Sequence, residues 1–190
     1  MKKTIFILIL VTMFVLSACK NTDISNNEMT ITESKFSEET QNILEIFDDE
    51  IMFLDYTLDE TVKSSSINLW SYKNGDWIEI GNISGNIGYL ENQIGIRLME
   101  TGFDLFTINE NGHVKYSYPE IETEFSNSDV VTLARISEPT KIELNEEISL
   151  WAKLGTDKNM ISIHNPRDFR YTDCTEGVAI TITFSDKDVE

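Results

Sequence analysis

The sequence predicts an all-β fold: an antiparallel β-sandwich, jelly-roll or immunoglobulin-like, with about nine or ten strands. Three observations carry this expectation. Apolar residues recur at every second position in several segments, two Asn-Gly pairs sit between strand-like stretches, and no long stretch shows sustained helical spacing.

The alternation is clearest in four places. Ile67 and Leu69 alternate with Asn68 and Trp70; Ile94, Ile96 and Leu98 with Gly95, Arg97 and Met99. Further on, Ile148, Leu150, Ala152 and Leu154 alternate with Ser149, Trp151 and Lys153. The last run sets Val178, Ile180, Ile182 and Phe184 against Ala179, Thr181 and Thr183. Side chains two apart share one face of a strand, so each segment is expected to bury one face.

Turn chemistry separates these runs. Asn74-Gly75 and Asn111-Gly112 are each flanked by strand-like residues. Asn-Gly tolerates the positive φ angles of a type I′ hairpin. Asn145-Glu146 is expected to turn a third hairpin, between Ile142–Leu144 and Ile148–Leu150. A short helix is expected over Ser37–Phe47, where Ile43, Leu44 and Phe47 follow helical spacing.

The first hairpin has a definite register if Asn74-Gly75 is a two-residue loop. Tyr72 then faces Trp77, Ser71 faces Ile78, Trp70 faces Glu79 and Leu69 faces Ile80. One face carries Leu69, Ser71, Ile78 and Ile80; the other carries Trp70, Tyr72, Trp77 and Glu79. That second face is the candidate ligand-binding site, for a sugar or for a protein partner, since Trp and Tyr dominate binding hot spots. The competing reading is structural: the aromatic face is core, or its cross-strand pairs stabilise the sheet. Trp151 repeats the aromatic theme on the polar face of its strand.

Residues 159–177 read as a long polar loop, either functional or a crossover between sheets. It holds His164 and Cys174, but a Cys-His pair at this spacing matches no catalytic signature, and a lone cysteine reads as a small buried hydrophobe. His113 is expected to face Glu110 across the second hairpin as an exposed pair. Asp48-Asp49-Glu50 and Asp59-Glu60 are oxygen-rich, but they lack EF-hand spacing and read as solvated surface. No phosphate-binding glycine loop, nucleophile elbow or zinc motif is present in the sequence. No catalytic residue, metal site or cofactor is expected.

The N-terminus carries a different kind of signal. Lys2 and Lys3 precede an apolar run from Ile5 to Leu16, broken only by Thr12. A basic start, a short apolar stretch and small residues at the end mark a secretory signal peptide. The run falls short of the roughly 20 apolar residues of a membrane span. Its ending, Leu16-Ser17-Ala18-Cys19, resembles the lipobox of bacterial lipoproteins. The resemblance implies cleavage before Cys19 and a diacylglycerol on its thiol, and it covers only this segment. Two acyl chains hold far more durably than one. With Cys19 lipidated, Cys174 has no partner in the chain, and no internal disulfide is expected.

Charge narrows the partners. The chain holds 15 basic and 33 acidic side chains. Residues 1–18 contain two lysines and no acid, so the remainder has 13 basic and 33 acidic side chains, a net charge of −20. Such a surface disfavours nucleic acid, whose phosphates need cationic side chains, and repels anionic headgroups. Carbohydrate, cationic peptides or another exported protein remain compatible. The abundance of Ile, Asn, Lys and Glu suggests an AT-rich genome and a Gram-positive source.

The expected organisation is a signal peptide at residues 1–18, lipidated Cys19 with a flexible tether at 19–41, and one β-sandwich domain at 42–190. The expected function is a non-catalytic binding or interaction module, lipid-anchored to the outer face of the cell membrane. The alternatives are an enzyme acting on cell-wall or surface carbohydrate through paired carboxylates, and an assembly factor for another exported protein.

Overall fold

Among the described residues eleven strands pair in two sheets, and every ladder between them is antiparallel. The computed structural model describes residues 28–46, 51–99, 102–118, 125 and 128–189. The signal segment, Cys19 and Asp48-Asp49-Glu50 lie outside the described residues.

The chain enters the fold through β1 (Thr30–Glu33). Next come helix α1 (Glu38–Leu44), β2 (Ile51–Thr57), β3 (Ser64–Lys73), β4 (Asp76–Asn86), β5 (Glu91–Met99), β6 (Gly102–Asn109) and β7 (Gly112–Tyr118). The remainder is β8 (Val130–Arg135), β9 (Thr140–Lys141), β10 (Glu147–Thr156), a 3-10 helix (Pro166–Tyr171) and β11 (Glu176–Ser185). One sheet has the order β7-β6-β5-β2-β1-β9 and the other β4-β3-β11-β10-β8.

The core lies between the sheets. Ile31, Leu54, Ile94 and Leu105 come from the six-stranded sheet; Leu69, Leu150, Ile180, Ile182 and Phe184 come from the five-stranded one. Tyr56 meets Phe184 edge to face across the gap, with ring centroids 5.3 Å apart. The alternations in β3, β5 and β11 thus deliver their apolar face to this core as expected. At the rim the sheets approach closely. A Cβ on Gly81 would lie 2.3 Å from the Tyr118 ring, whose hydroxyl donates to the Asn82 carbonyl.

The stretch expected to be tether holds the first strand. Thr30–Glu33 pairs with β2 on one side and β9 on the other, and Ile31 is fully buried. Strand pairing recruits backbone whatever the side chains are, so one inward Ile among Thr and Glu suffices. The domain therefore starts well before residue 42. The short helix begins where the sequence places it: Ser37 caps it, accepting from the Thr40 amide at 3.4 Å, and Glu38 and Glu39 favour its positive end.

Turns divide into one match and two corrections. Asn74 and Gly75 have φ of 54° and 94°, and Lys73 pairs with Asp76 as a type I′ hairpin requires. In the second hairpin Asn109 pairs with Gly112, so Glu110 and Asn111 form the loop. Asn109 Oδ1 accepts from the Asn111 amide, closing an Asx turn one residue earlier than expected. His113 consequently faces Ile108, not Glu110. Asn145 does turn the chain, with φ 63°. It joins β9 and β10, however, which belong to different sheets, so no hairpin forms there.

Candidate functional site

The outer face of the five-stranded sheet carries the aromatic residues singled out from the sequence. The hairpin register places Trp70 opposite Glu79 and Tyr72 opposite Trp77, as expected. Beyond Trp70 a bulge intervenes: Leu69 pairs with Gly81, and Ile80 is the extra residue. Leu69 and Ser71 turn into the main core, which leaves Trp70, Tyr72 and Trp77 on the outside.

These rings do not form an open platform. The same registers extend rows of side chains across the sheet. Ala134, Ala152, Ala179 and Trp70 stand side by side, and so do Leu154, Gly177, Tyr72 and Trp77. The small residues make a trough, and the β10–β11 connection lies in it. Phe169 on the 3-10 helix is fully buried there, with Ile163 and Cys174 beside it and the three aromatics packed around the rim. Trp77 meets Phe169 edge to face at 4.6 Å and Tyr72 at 5.4 Å. A Cβ on Gly177 would come within 2.7 Å of the Trp77 ring, so only glycine leaves the indole its place. The result is a second, smaller core outside the sandwich, under residues 157–175.

A bulge decides the floor of this trough. In β10 Ser149 pairs with Thr181 but Trp151 pairs with Ile180, so Leu150 is extra. One inserted residue flips every later side chain to the opposite face. Trp151, expected on the polar face, is only 3% exposed inside the main core, while Ala152 and Leu154 point to the cap. Trp151 does not extend the aromatic surface.

Polar contacts lock the cap onto the sheet. The Trp70 indole donates to Thr181 Oγ1 at 3.0 Å, and that hydroxyl donates to Glu147 Oε2 at 2.9 Å. Glu147 accepts from both Arg170 terminal nitrogens, at 2.5 and 3.1 Å. The Arg170 guanidinium returns over the Trp70 ring at 4.3 Å, closing the circuit. Lys158 and Asp173 pair across the base of the connection. Because the connection joins neighbouring strands of one sheet, it is a cap and not a crossover.

Glu79 stands at the edge of this assembly. It is exposed and accepts from Asn68 Nδ2 at 2.9 Å. Below it, Ser66, Asn68, Asn82 and Ser84 bond one another in a cross-strand ladder. The cap also displays two large side chains to solvent: Tyr171 is 90% exposed and Met160 79%.

The remaining candidates take structural places. Cys174 is buried, and burial pushes its thiol up to about 11, with the charges of Asp173 and Glu176 adding to the shift. A protonated, enclosed thiol is a packing group, not a nucleophile. His164 is exposed and meets Ser162 Oγ at 3.2 Å. His113 lies 6.3 Å from the Phe106 ring. Asp59 caps Thr61, whose side-chain and backbone hydrogen bonds lower its carboxyl. Among the described residues no group of His, Cys, Asp or Glu is arranged to hold a metal, and no helix is long and apolar enough to cross a membrane.

Sequence reasoning missed Phe169, Arg170, Glu147 and Thr181. The available signal was an aromatic and an arginine inside an otherwise polar loop. What hid the site was the trough: Ala179 reads as the polar side of β11, while Ala152 and Leu154 read as a continuation of the buried face of Ile148 and Leu150.

No family model, curated protein or solved structure matches this chain at a significant level.

Proposed function

We propose that the protein is an exported lipoprotein, held by a diacylglycerol on Cys19 at the outer face of a bacterial membrane. Its β-sandwich acts as a non-catalytic interaction module for another exported protein. The observation that carries the second half is the cap. Tyr171 is 90% exposed on the element whose Phe169 is locked into the second core. An aromatic side chain held out by a rigid base loses little freedom on binding, which is the physical character of a hot spot. The polar surround and net acidity suit a partner with cationic side chains at its rim.

Hydrolysis fits this face less well. Its two nearest carboxylates are engaged, Glu79 by Asn68 and Glu147 by Arg170 and Thr181. A sugar stacked on Trp70 would have to displace the Arg170 guanidinium from the ring.

Only ten residues separate Cys19 from β1, a reach of at most about 35 Å when fully extended. The partner must then lie close to the membrane. Two measurements test the reading. Cys19→Ala should abolish labelling by a fatty-acid analogue, and equal label in mutant and parent would sink the anchor. A photo-crosslinker placed at position 160 should capture one exported protein in cells. Tyr171→Ala, with an unchanged melting temperature, should lower that yield at least tenfold; unchanged capture would remove the cap from the interface.

A further inference from the structure

The outer face of the six-stranded sheet, on the side of the sandwich away from the cap, carries an aromatic row of its own. Ladder registers set Phe53, Gly95, Phe106 and Lys115 side by side across β2, β5, β6 and β7. Gly95 makes room for the Phe53 ring, since a Cβ there would lie 3.0 Å from it. Phe36 meets Phe53 edge to face at 5.4 Å, and the Lys115 ammonium stands 5.9 Å from the centre of the Phe106 ring. Both Phe53 and Phe106 stay partly exposed.

The neighbouring row is Ile51, Arg97, Asp104 and Ser117. Arg97 and Lys115 share the Asp104 carboxylate, Lys115 at 3.0 Å. Two cations against one carboxylate leave this cluster a net +1, in a chain whose net charge is −18. Solvent meets the cations and not the acid. The Asp104 side chain is fully buried, whereas those of Arg97 and Lys115 are 38% and 44% exposed.

Helix α1 borders the same face. Its Gln41, Leu44 and Glu45 line one cavity with Ile51 and Phe53. The opposite side of the helix carries Glu39, Ile43 and, in the turn that follows, Ile46, spaced at i, i+4 and i+7. Ile43 is 58% exposed and Ile46 76%. Residues 36–46 hold Glu38, Glu39 and Glu45 and no basic side chain.

We propose that this face pairs with the same face of a second copy of the chain, α1 of each copy lying over Phe106 and Lys115 of the other. The molecule holds both halves of the contact: an apolar, acidic ridge beside β2 and an aromatic, cationic strip on β6 and β7. The two lie along the same rows of the sheet. A two-fold axis running along the strands therefore carries each onto the other and closes the contact on itself. Burial of Ile43 and Ile46 against the rings supplies the affinity. Glu39 facing Arg97 and Lys115 fixes orientation more than strength, because these charges stay partly solvated. The cap lies on the other sheet, so this contact and the one proposed for Tyr171 can fail separately.

The test places a photo-crosslinker at exposed position 42, beside the ridge, in full-length chains that carry two different tags and are co-expressed in cells. A species of twice the mass holding both tags is expected, with the adduct mapped by mass spectrometry to β5–β7, residues 91–118. Ile46→Asn and Glu39→Lys, at exposed positions where the melting temperature should hardly move, should each lower its yield at least about fivefold. Lys115→Gln, which leaves Asp104 to Arg97 and Ser117, should lower it less. Val131→Asn, an apolar residue exposed on the other sheet, should leave it unchanged. Absence of the doubly tagged species, an adduct outside residues 91–118, or an equal loss in Val131→Asn would overturn the pairing. Capture of a different protein in place of the second copy would assign α1 to that partner and overturn it too.

Discussion

Between the two sheets, Leu105, Leu150 and Phe184 are shut off from solvent by strands facing strands. On the outer face of the five-stranded sheet, Phe169 reaches the same exclusion beneath a single connection. The first core is closed by many hydrogen-bonded ladders, which must all open together. The second is closed by one 3-10 helix, an arginine circuit and the Lys158–Asp173 pair. Equal burial of a side chain thus need not mean equal coupling to the whole fold, because local opening costs only the contacts that break. A surface that must present side chains while remaining in register gains from this arrangement. The sandwich supplies rigidity, and the cap supplies residues outside it.

The largest expected effect tests the first core. Phe184→Ala should cost roughly 3–5 kcal/mol, the usual range for a buried large aromatic. The loss should appear equally in denaturant unfolding followed by circular dichroism and by fluorescence. A loss confined to one probe would mean that the sheets do not unfold as one unit.

Phe169→Ala should cost less in global unfolding, about 2 kcal/mol, because the cap can detach while the sandwich persists. Hydrogen exchange should accelerate over residues 157–175 and hardly at all in β5 and β6. The Cys174 thiol should also alkylate readily in this variant, whereas in the parent it should resist. Uniform acceleration throughout the chain would erase the distinction between the two cores.

The smallest effect at neutral pH concerns Cys174 itself. Its folded thiol lies near 11, above the ordinary value of 9.0. A group whose folded value is raised contributes stability that is present below the unfolded value and lost as pH rises through the folded one. The parent should therefore lose cap stability between about pH 9 and pH 11. Cys174→Ala should lack that part of the decline. Parallel decline in both proteins would show that the thiol is not enclosed when the cap is closed.

Much of the sandwich was legible because its signals are local. Period-two runs announce β3, β5 and β11, and Asn74-Gly75 announces its own turn and the register next to it. The placement of Trp70, Tyr72, Trp77 and Glu79 on one face follows from that register alone. Legibility ended where geometry departs from strict alternation. The bulge at Leu150 sent Trp151 inward and Ala152 outward, and nothing in a run of alternating residues marks where a bulge falls. Strand β1 was hidden for a different reason. Four residues with a single inward Ile carry almost no periodic signal, and their partners lie far along the chain.

By itself the sequence determined the β class, the acidic surface and the hairpin that groups the aromatics, because alternation, charge and turn preference are properties of neighbouring residues. It also holds the lipobox-like ending at Cys19, whose reading needs no fold. Only the tertiary structure decided what those aromatics face. Ala134, Ala152 and the pair Gly177 and Ala179 come from three separate strands and are unremarkable singly. Strand pairing sets them side by side, and their lack of bulk lets residues 157–175 descend onto the sheet. A trough made of missing side chains has no signature in any one segment, so the cap and its buried Phe169 exist only once the strands are paired.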